Sequence, residues 1–242
     1  MRDIRVVTYN IHKGRGWDGR TRISRIAEVL EEIDGDIIGL QEVLAHAGRG
    51  AEHHQAGYLA HRLGLHVAFG EARKHRGAAY GNVTLSRWAF SAQRVTDISV
   101  PGLEPRAVLR TDVRPHGHVL HVFNVHLGTG FLERRRQAPL LLQEDLLRAL
   151  DLSGPRILLG DFNEWTRGLV SRVLRREFLD PDLRHYLRHR WSYPGPLPFL
   201  NLDHIYFDNH LEVEGAYLHL TRRSLLASDH LPLVADFRLR SG

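Results

Sequence analysis

Short apolar runs recur along the whole 242-residue chain, and their lengths are typical of β-strands. Residues 157–159 follow the turn signal Gly154-Pro155 and are predicted to form a strand that is buried on both faces. Residues 4–9 and 37–40 have the same character, and 119–125 alternate between apolar and polar. Further strands are predicted at 67–70, 83–85, 95–100, 104–113, 202–207, 211–220 and 231–239.

Helical spacing of apolar residues is confined to a few segments. It predicts helices at 21–33, 55–63, 133–150, where Pro139 interrupts the pattern, and 168–178. The polar or Pro-rich stretches 45–54, 71–76 and 193–199 are predicted to be loops. Because strand and helix patterns run from the first residues to the last without a linker, we expect one α/β domain over residues 1–242.

Composition narrows the class of protein. The hydrophobic fraction of 43% and charged fraction of 25% are those of a globular protein, and no window approaches the length of a membrane span. The N-terminus lacks a signal-peptide pattern, so we expect a cytoplasmic protein. The absence of cysteine excludes disulfides and thiolate metal sites. A net charge of +5 favours phosphates and polyanions over cationic substrates.

Polar residues stand at the ends of the apolar runs. Asp161 and Asn163 directly follow the buried strand at 157–159, and on an extended segment they point to one side while Phe162 points to the other, into the core. A carboxylate can hold or deprotonate a water, and an amide can donate to an oxygen that gains charge, as metal-assisted attack on a phosphate requires. The alternative is an ordinary Asp/Asn turn.

Other strand ends carry similar groups, each weak alone, and together they fit the rule that ligands gather where sheet strands end. The candidates are Asn10, Glu42, His126, Asp203 and the pair Asp229-His230. Among the basic residues, Lys13 and Arg106 are candidates for binding a substrate phosphate. The run Arg134–Arg136 is either an anion-binding group or a solvated face.

With these residues in view, the chain resembles the endonuclease/exonuclease/phosphatase superfamily, whose fold is called DNase I-like, and within it the small bacterial members. The resembling segments are TYN (8–10), LQEV (40–43), NVHLG (124–128), GDFN (160–163), LDHI (202–205) and SDHLPL (228–233). They span essentially the whole chain. The resemblance implies a four-layer α/β/β/α sandwich in which two packed, mainly antiparallel sheets are flanked by helices.

The resemblance also implies roles for individual residues. Glu42 is the expected main ligand of Mg²⁺ or Mn²⁺, with Asn10 and Asp229 close to the metal, and hard oxygen donors suit these ions. Asp161 is expected to orient or deprotonate the attacking water.

Expectations for four further residues follow in the same way. Asn163 is expected to donate to the phosphoryl oxygens, and His126 to contact the phosphate or assist the leaving group. Asp203 is expected to pair with His230 and to stabilise its cationic form.

The implied function is divalent-metal-dependent hydrolysis of a phosphodiester, first of all the cleavage of DNA or RNA by a monomeric nuclease. One alternative is a phospholipid or small-molecule phosphodiesterase or phosphatase of the same fold. A second is a catalytically silent phosphate-binding module. Activity is favoured over the silent module because acids and imidazoles fill every expected position.

Overall fold

Two β-sheets form the centre of the protein. A computed structural model describes residues 3–46, 54–165, 168–181, 191–195, 197 and 199–240, so the predicted loops at 45–54 and 193–199 lie partly outside the described residues. The strands are β1 (Ile4–Asn10), β2 (Ile37–Ala45), β3 (His66–His75), β4 (Ala78–Ser86), β5 (Ala92–Asp97), β6 (Ala107–Val113), β7 (Leu120–His126), β8 (Arg156–Asp161), β9 (Asp203–Phe207), β10 (Leu211–Leu218) and β11 (Leu233–Leu239).

The strand order is β10-β11-β1-β2-β4-β3 in one sheet and β5-β6-β7-β8-β9 in the other. The pairs β1/β2 and β7/β8 are parallel, and the remaining described pairs are antiparallel. The predicted pair of mainly antiparallel sheets is therefore confirmed. The first and last strands, β1 and β11, are neighbours in one sheet.

Three apolar clusters separate four layers. One lies between the sheets and includes Val6, Ile157 and Phe237. A second joins the outer face of the six-stranded sheet to helices α1 (Ile23–Ile33) and α2 (Gln55–Leu63). The third joins the outer face of the five-stranded sheet to helices α3 (Phe131–Leu141) and α4 (Leu169–Leu174). Because side chains alternate along a strand, each strand contributes to the cluster between the sheets and to the cluster beneath the helices on its outer face. In β1, for example, Val6 faces the other sheet and Val7 faces the helices.

The helices differ from their predicted lengths in two places. Residues 133–150 do not form one long helix: α3 ends two residues after Pro139, whose nitrogen cannot donate to the preceding turn, and short turns follow. The helix predicted at 168–178 ends at Leu174. A short helix α5 (Arg222–Ala227) was not predicted, although Thr221 and Ser224 form a capping box at its start. None of the described helices is long and apolar enough to cross a membrane.

The prediction of a solvated loop at 71–76 was wrong. This charged stretch continues strand β3 to His75, with a register shift against β4 between Glu71 and Arg73. Because β3 is the edge strand of its sheet, its charged side chains can stay in solvent while its backbone pairs on one side.

Candidate active site

The candidate residues meet at one edge of the two sheets. Asn10 is the last residue of β1, and His126 and Asp161 are the last residues of the parallel neighbours β7 and β8. Since parallel strands run in the same direction, their carboxyl ends share an edge. Asp203 begins β9 directly opposite Asp161. His230 precedes β11 and contacts Asp203. The distance between His230 Nδ1 and Asp203 Oδ2 is 2.8 Å.

A close contact between the sheets lies beneath this edge. A Cβ added to Gly39 would come within 2.0 Å of Leu159 Cδ1, so only glycine lets the two sheets approach this closely. Beside it, Gln41 Nε2 donates to Asn124 Oδ1 over 2.8 Å, and Asn124 Nδ2 donates to Val83 O over 2.8 Å. Buried amides that bridge two sheets fix the position of one sheet edge relative to the other.

Glu42 reaches the site through a β-bulge. The register between β2 and β4 shifts between Leu40 and Val43, and Glu42 has a φ of +58°, a conformation that non-glycine residues rarely adopt. Its carboxylate contacts the ammonium of Lys13. Burial opposes ionisation of Glu42, but nearby His126 and Lys13 outweigh it and lower its pKa to about 2. Glu42 is therefore a carboxylate at neutral pH, and its present partner is a cation.

Asp161 is the centre of the arrangement and is almost fully buried. Its Oδ2 accepts a hydrogen bond from Asn10 Nδ2 over 2.9 Å, which links the two sheets. Its Oδ1 accepts from the backbone nitrogen of Asn163 over 2.9 Å. The Nε2 atoms of His126 and His230 lie 3.6 Å and 3.7 Å from Asp161 Oδ2. One carboxylate thus faces two imidazoles.

The two imidazoles have opposite protonation states. For His230, burial favours the neutral ring, but the carboxylates of Asp203 and Asp161 outweigh it and raise its pKa to about 10. For His126, burial and the guanidinium of Arg106 lower the pKa to about 4. At neutral pH His230 is therefore an imidazolium and His126 a neutral ring, and such a split is a property of acid–base sites.

Arg106 also fixes the tautomer of His126. Its Nη1 lies 3.0 Å from His126 Nδ1, and because a guanidinium can only donate, Nδ1 accepts. The proton of the neutral ring is consequently on Nε2, the nitrogen that faces Asp161. Arg106 is buried, and its Nε has no hydrogen-bond partner among the described residues.

Asn163 departs from the extended geometry that the sequence predicted. Its φ is +49°, so the chain turns directly after β8. Asn163 Nδ2 donates to Leu127 O over 2.9 Å, which leaves the second hydrogen of its amide group for another acceptor. Phe162 is buried in the core as predicted, and its ring packs edge-on against Tyr206 with centroids 5.3 Å apart.

The loop after His126 is held by residues that the sequence analysis did not place there. Arg134, predicted as part of an anion-binding or solvated run, instead donates to Gly128 O over 3.0 Å. Gln137 Oε1 accepts from the nitrogen of Gly128, also over 3.0 Å. Both side chains are buried on α3. The signal in the sequence was the spacing of Arg134 and Gln137, which are three residues apart and therefore lie on the same face of a helix.

Two groups of side chains are possible metal ligands. The ligand atoms of Asp161, Asp203 and His230 all lie within 4.8 Å of one another. However, His230 is a cation bound to Asp203, and an imidazolium has no lone pair for a metal. The acids on the other side are Glu42 and Asp229, and Asp229 Oδ1 lies 3.3 Å from His12 Nδ1.

The second group fits a hard divalent ion better. Glu42 and Asp229 both have lowered pKa values despite burial, so both are ionised oxygen donors. The cation that Glu42 now contacts is the flexible ammonium of Lys13, which can move aside. Asn10 faces these acids through Nδ2, 3.4 Å from Glu42 Oε1, while its Oδ1 accepts from the nitrogen of His12 over 3.0 Å.

Comparison with known proteins places these residues in a wider context. A family model described as "Endonuclease/Exonuclease/phosphatase family" matches residues 7–230. The protein YbhP of Escherichia coli (strain K12) is 31% identical over 248 residues, covering 98% of this chain and 96% of YbhP.

Two solved structures have the same fold. The endonuclease/exonuclease/phosphatase from Beutenbergia cavernae superposes with a TM-score of 0.76 at 26% identity, covering 99% of this chain and 72% of that one. The mannosyl-6-phosphatase Bt3783 of Bacteroides thetaiotaomicron superposes with a TM-score of 0.81 at 18% identity, covering 98% and 100%. At that identity the second likeness concerns the fold alone.

Proposed function

Since the chain belongs to the endonuclease/exonuclease/phosphatase family, we propose that it is a divalent-metal-dependent hydrolase that cleaves phosphodiesters by attack of water. The observation that carries the proposal is the position of Asp161 between a neutral and a cationic imidazole, 3.6 Å and 3.7 Å from its Oδ2. Hydrolysis of a phosphodiester needs a base for water and positive or proton-donating groups for the phosphate and leaving group. This cluster contains both.

Asp161 orients the attacking water and takes its proton. The hydrogen bonds from Asn10 and Asn163 hold its carboxylate in one orientation without neutralising it. The imidazolium of His230 neutralises charge on the phosphate, and Asp203 stabilises that imidazolium through the 2.8 Å contact at Nδ1.

The remaining polar groups act on the phosphate and the leaving group. His126 presents its Nε2 hydrogen to a phosphate or leaving-group oxygen, because Arg106 occupies Nδ1. Asn163 donates its second amide hydrogen to a phosphoryl oxygen. Arg106 and Lys13 contribute positive charge at the substrate phosphate.

A divalent cation, Mg²⁺ or Mn²⁺, fits the oxygen donors of Glu42 and Asp229, with Asn10 adjacent. When bound, such an ion supplies Lewis acidity that neutralises charge on the phosphoryl oxygens. With an ion held there, the ammonium of Lys13 would leave Glu42 and would be free to approach the substrate anion.

The resemblance gives nucleic acid as the first candidate substrate and a phospholipid or a small phosphoester as the alternative. A silent phosphate-binding module is the alternative outcome. The protein is further proposed to be a monomer located in the cytoplasm.

The test is hydrolysis by the purified chain with Mg²⁺, with Mn²⁺ and with EDTA. Plasmid DNA, RNA, an aryl phosphodiester, an aryl phosphomonoester and a phospholipid form the panel, and His230→Ala controls for contaminating enzymes. Metal-dependent turnover that disappears in His230→Ala is expected. Turnover that persists in EDTA or in the variant contradicts the proposal, and binding of metal and phosphate without turnover indicates the silent module.

A further inference from the structure

Large apolar side chains are exposed on chain segments that adjoin the sheet edge where the candidate residues meet. Leu132 is 68% exposed and Trp165 62% exposed, which are unusual values for side chains of this size. We call the following set the apolar rim: Trp17, Phe131, Leu132, Trp165, Leu197, Phe199 and Leu226.

Backbone contacts place the rim beside the site. The nitrogen of Trp17 donates to Leu226 O over 3.3 Å, and α5, which carries Leu226, leads directly to Asp229. The segment that carries Leu197 and Phe199 also contains Gly195, whose nitrogen donates to Asp229 O over 2.7 Å.

The other two segments continue site strands. Phe131 and Leu132 begin α3, immediately after the loop that follows His126. Trp165 lies two residues after Asn163. Five segments that adjoin residues of the site therefore carry exposed apolar side chains.

Exposed arginines accompany the apolar rim. In the described part of these segments, Asp18 is the one exposed acid, and it is bound to Arg25 with an Oδ2–Nη2 distance of 2.8 Å. The exposed bases there are Arg15, Arg20, Arg22, Arg135, Arg136, Arg222 and Arg223, of which Arg223 is paired with Glu32 of α1, with an Nη1–Oε1 distance of 2.6 Å. A surface that combines exposed apolar side chains with excess positive charge is complementary to the headgroups and acyl chains of an anionic membrane.

We propose that the apolar rim docks on a lipid bilayer that contains anionic phospholipids, where it brings lipid phosphoester groups to the site. The second half of this statement rests on the proposed function, and the docking itself does not. Tryptophan favours the interface between headgroups and acyl chains, and leucine and phenylalanine insert below it.

The leucines of the rim decide between a bilayer and a nucleic acid. Single-stranded nucleic acids bind to aromatic faces and cationic grooves, so Trp17, Trp165 and the arginines would suit either partner. Leu132, Leu197 and Leu226 present no aromatic face on which a base can stack, and their exposure on three different segments gains nothing from a nucleic acid. Hydrocarbon is the partner that stabilises them.

The docking is tested by co-sedimentation of the full chain, in EDTA, with vesicles of phosphatidylcholine alone or mixed with phosphatidylglycerol. We expect binding to the mixed vesicles that weakens with salt. Phe131→Ser combined with Leu132→Ser should weaken it at least about 10-fold, since two apolar side chains no longer insert. Trp17→Ser, on another segment, should also weaken vesicle binding. Arg135→Gln combined with Arg136→Gln should weaken vesicle binding by roughly 5-fold per arginine.

Val95→Ser combined with Leu150→Ser is the matched control, because these side chains are also exposed but lie on edge strand β5 and in the turns after α3. It should bind as the wild type does. The proposal would be overturned if the chain did not bind vesicles, or if the rim variants and the control variant lost vesicle binding equally.

Binding of single-stranded DNA in place of vesicles, lost in the rim variants, would also overturn it in favour of a nucleic acid. Hydrolysis of a soluble aryl phosphodiester with Mg²⁺ is measured separately and should be unchanged in the rim variants. Vesicle binding without any such hydrolysis would therefore contradict the proposed function while leaving the docking intact.

Discussion

Asp161→Asn removes a charge from the centre of the site while keeping the size of a side chain that is 1% exposed. Asparagine cannot accept the proton of a water at neutral pH, so the variant loses the group placed to act as general base. Loss of such a positioned group lowers turnover by about 10²–10⁴. That factor corresponds to roughly 2.7–5.4 kcal/mol in the activation barrier.

The same change has a separate effect on stability. Asp161 accepts hydrogen bonds from Asn10 Nδ2 and from the nitrogen of Asn163. Asparagine has one acceptor oxygen, so one of these buried donors would face an NH₂ group. A buried donor without an acceptor costs about 1–3 kcal/mol, and for a chain of this length the melting temperature should fall by roughly 2–12 °C.

A second buried carboxylate provides the matched control. Asp208 is also buried, and its Oδ2 accepts from the backbone nitrogen and from Nε of Arg156, each over 3.0 Å, away from the strand ends that form the site. Asp208→Asn should lose comparable stability and keep its turnover. Turnover is measured below the melting temperature of both variants. Full turnover in a folded Asp161→Asn protein would refute the assignment of Asp161 as the base. An equal loss of turnover in Asp161→Asn and Asp208→Asn would refute it as well.

Three further changes probe the metal, the imidazolium and the packing between the sheets. Glu42→Gln should raise the Mg²⁺ concentration for half-maximal activity at least about 10-fold, because a charged ligand becomes neutral; an unchanged titration would remove Glu42 from the metal site. The pKa of His230 is raised to about 10, above its unfolded value of about 6.5, so in EDTA its stabilisation is complete below about pH 6.5 and is lost as pH rises through about 10. Urea melts of wild type and His230→Gln should therefore show a wild-type advantage that shrinks at alkaline pH, and a constant or growing advantage would contradict this. Gly39→Ala should lower the free energy of unfolding by about 1–3 kcal/mol, because the added Cβ lies 2.0 Å from Leu159 Cδ1. The loss should be smaller in a Leu159→Val background, and an equal loss of stability in both backgrounds would indicate another cause.

The sequence predicted the places where strands end better than it predicted what happens there. A buried strand needs an uninterrupted apolar run, so the polar residue after the run marks the sheet edge, as at Asn10, His126 and Asp161. The bulge at Glu42 and the turn at Asn163 depend on positive φ values in residues other than glycine. At Glu42 the conformation is imposed by tertiary contacts and leaves no local pattern. Asparagine tolerates it, and the turn at Asn163 agrees with the Asp/Asn turn that the sequence offered as the alternative.

Partnerships between distant residues were predicted unevenly. The pairing of Asp203 with His230 was inferred from the resemblance alone, and the structure brings the two together. The contact of Arg106 with His126 joins β7 to the segment before β6, and nothing in either segment indicates it. The charged stretch at 71–76 looked like a loop because an edge strand is allowed the same polar composition as a loop.

The site requires both sheets in a fixed relation, because its central hydrogen bond crosses between them. Asn10 belongs to the six-stranded sheet and Asp161 to the five-stranded one, and 2.9 Å separates the donor and acceptor. Gly39, Gln41 and Asn124 hold the sheets together directly below. Displacement of a reacting group by about 1 Å can lower a rate by about 100-fold. If Asp161 is the base, as we propose, the buried amides of Gln41 and Asn124 are positioning groups for it, because they fix one sheet relative to the other.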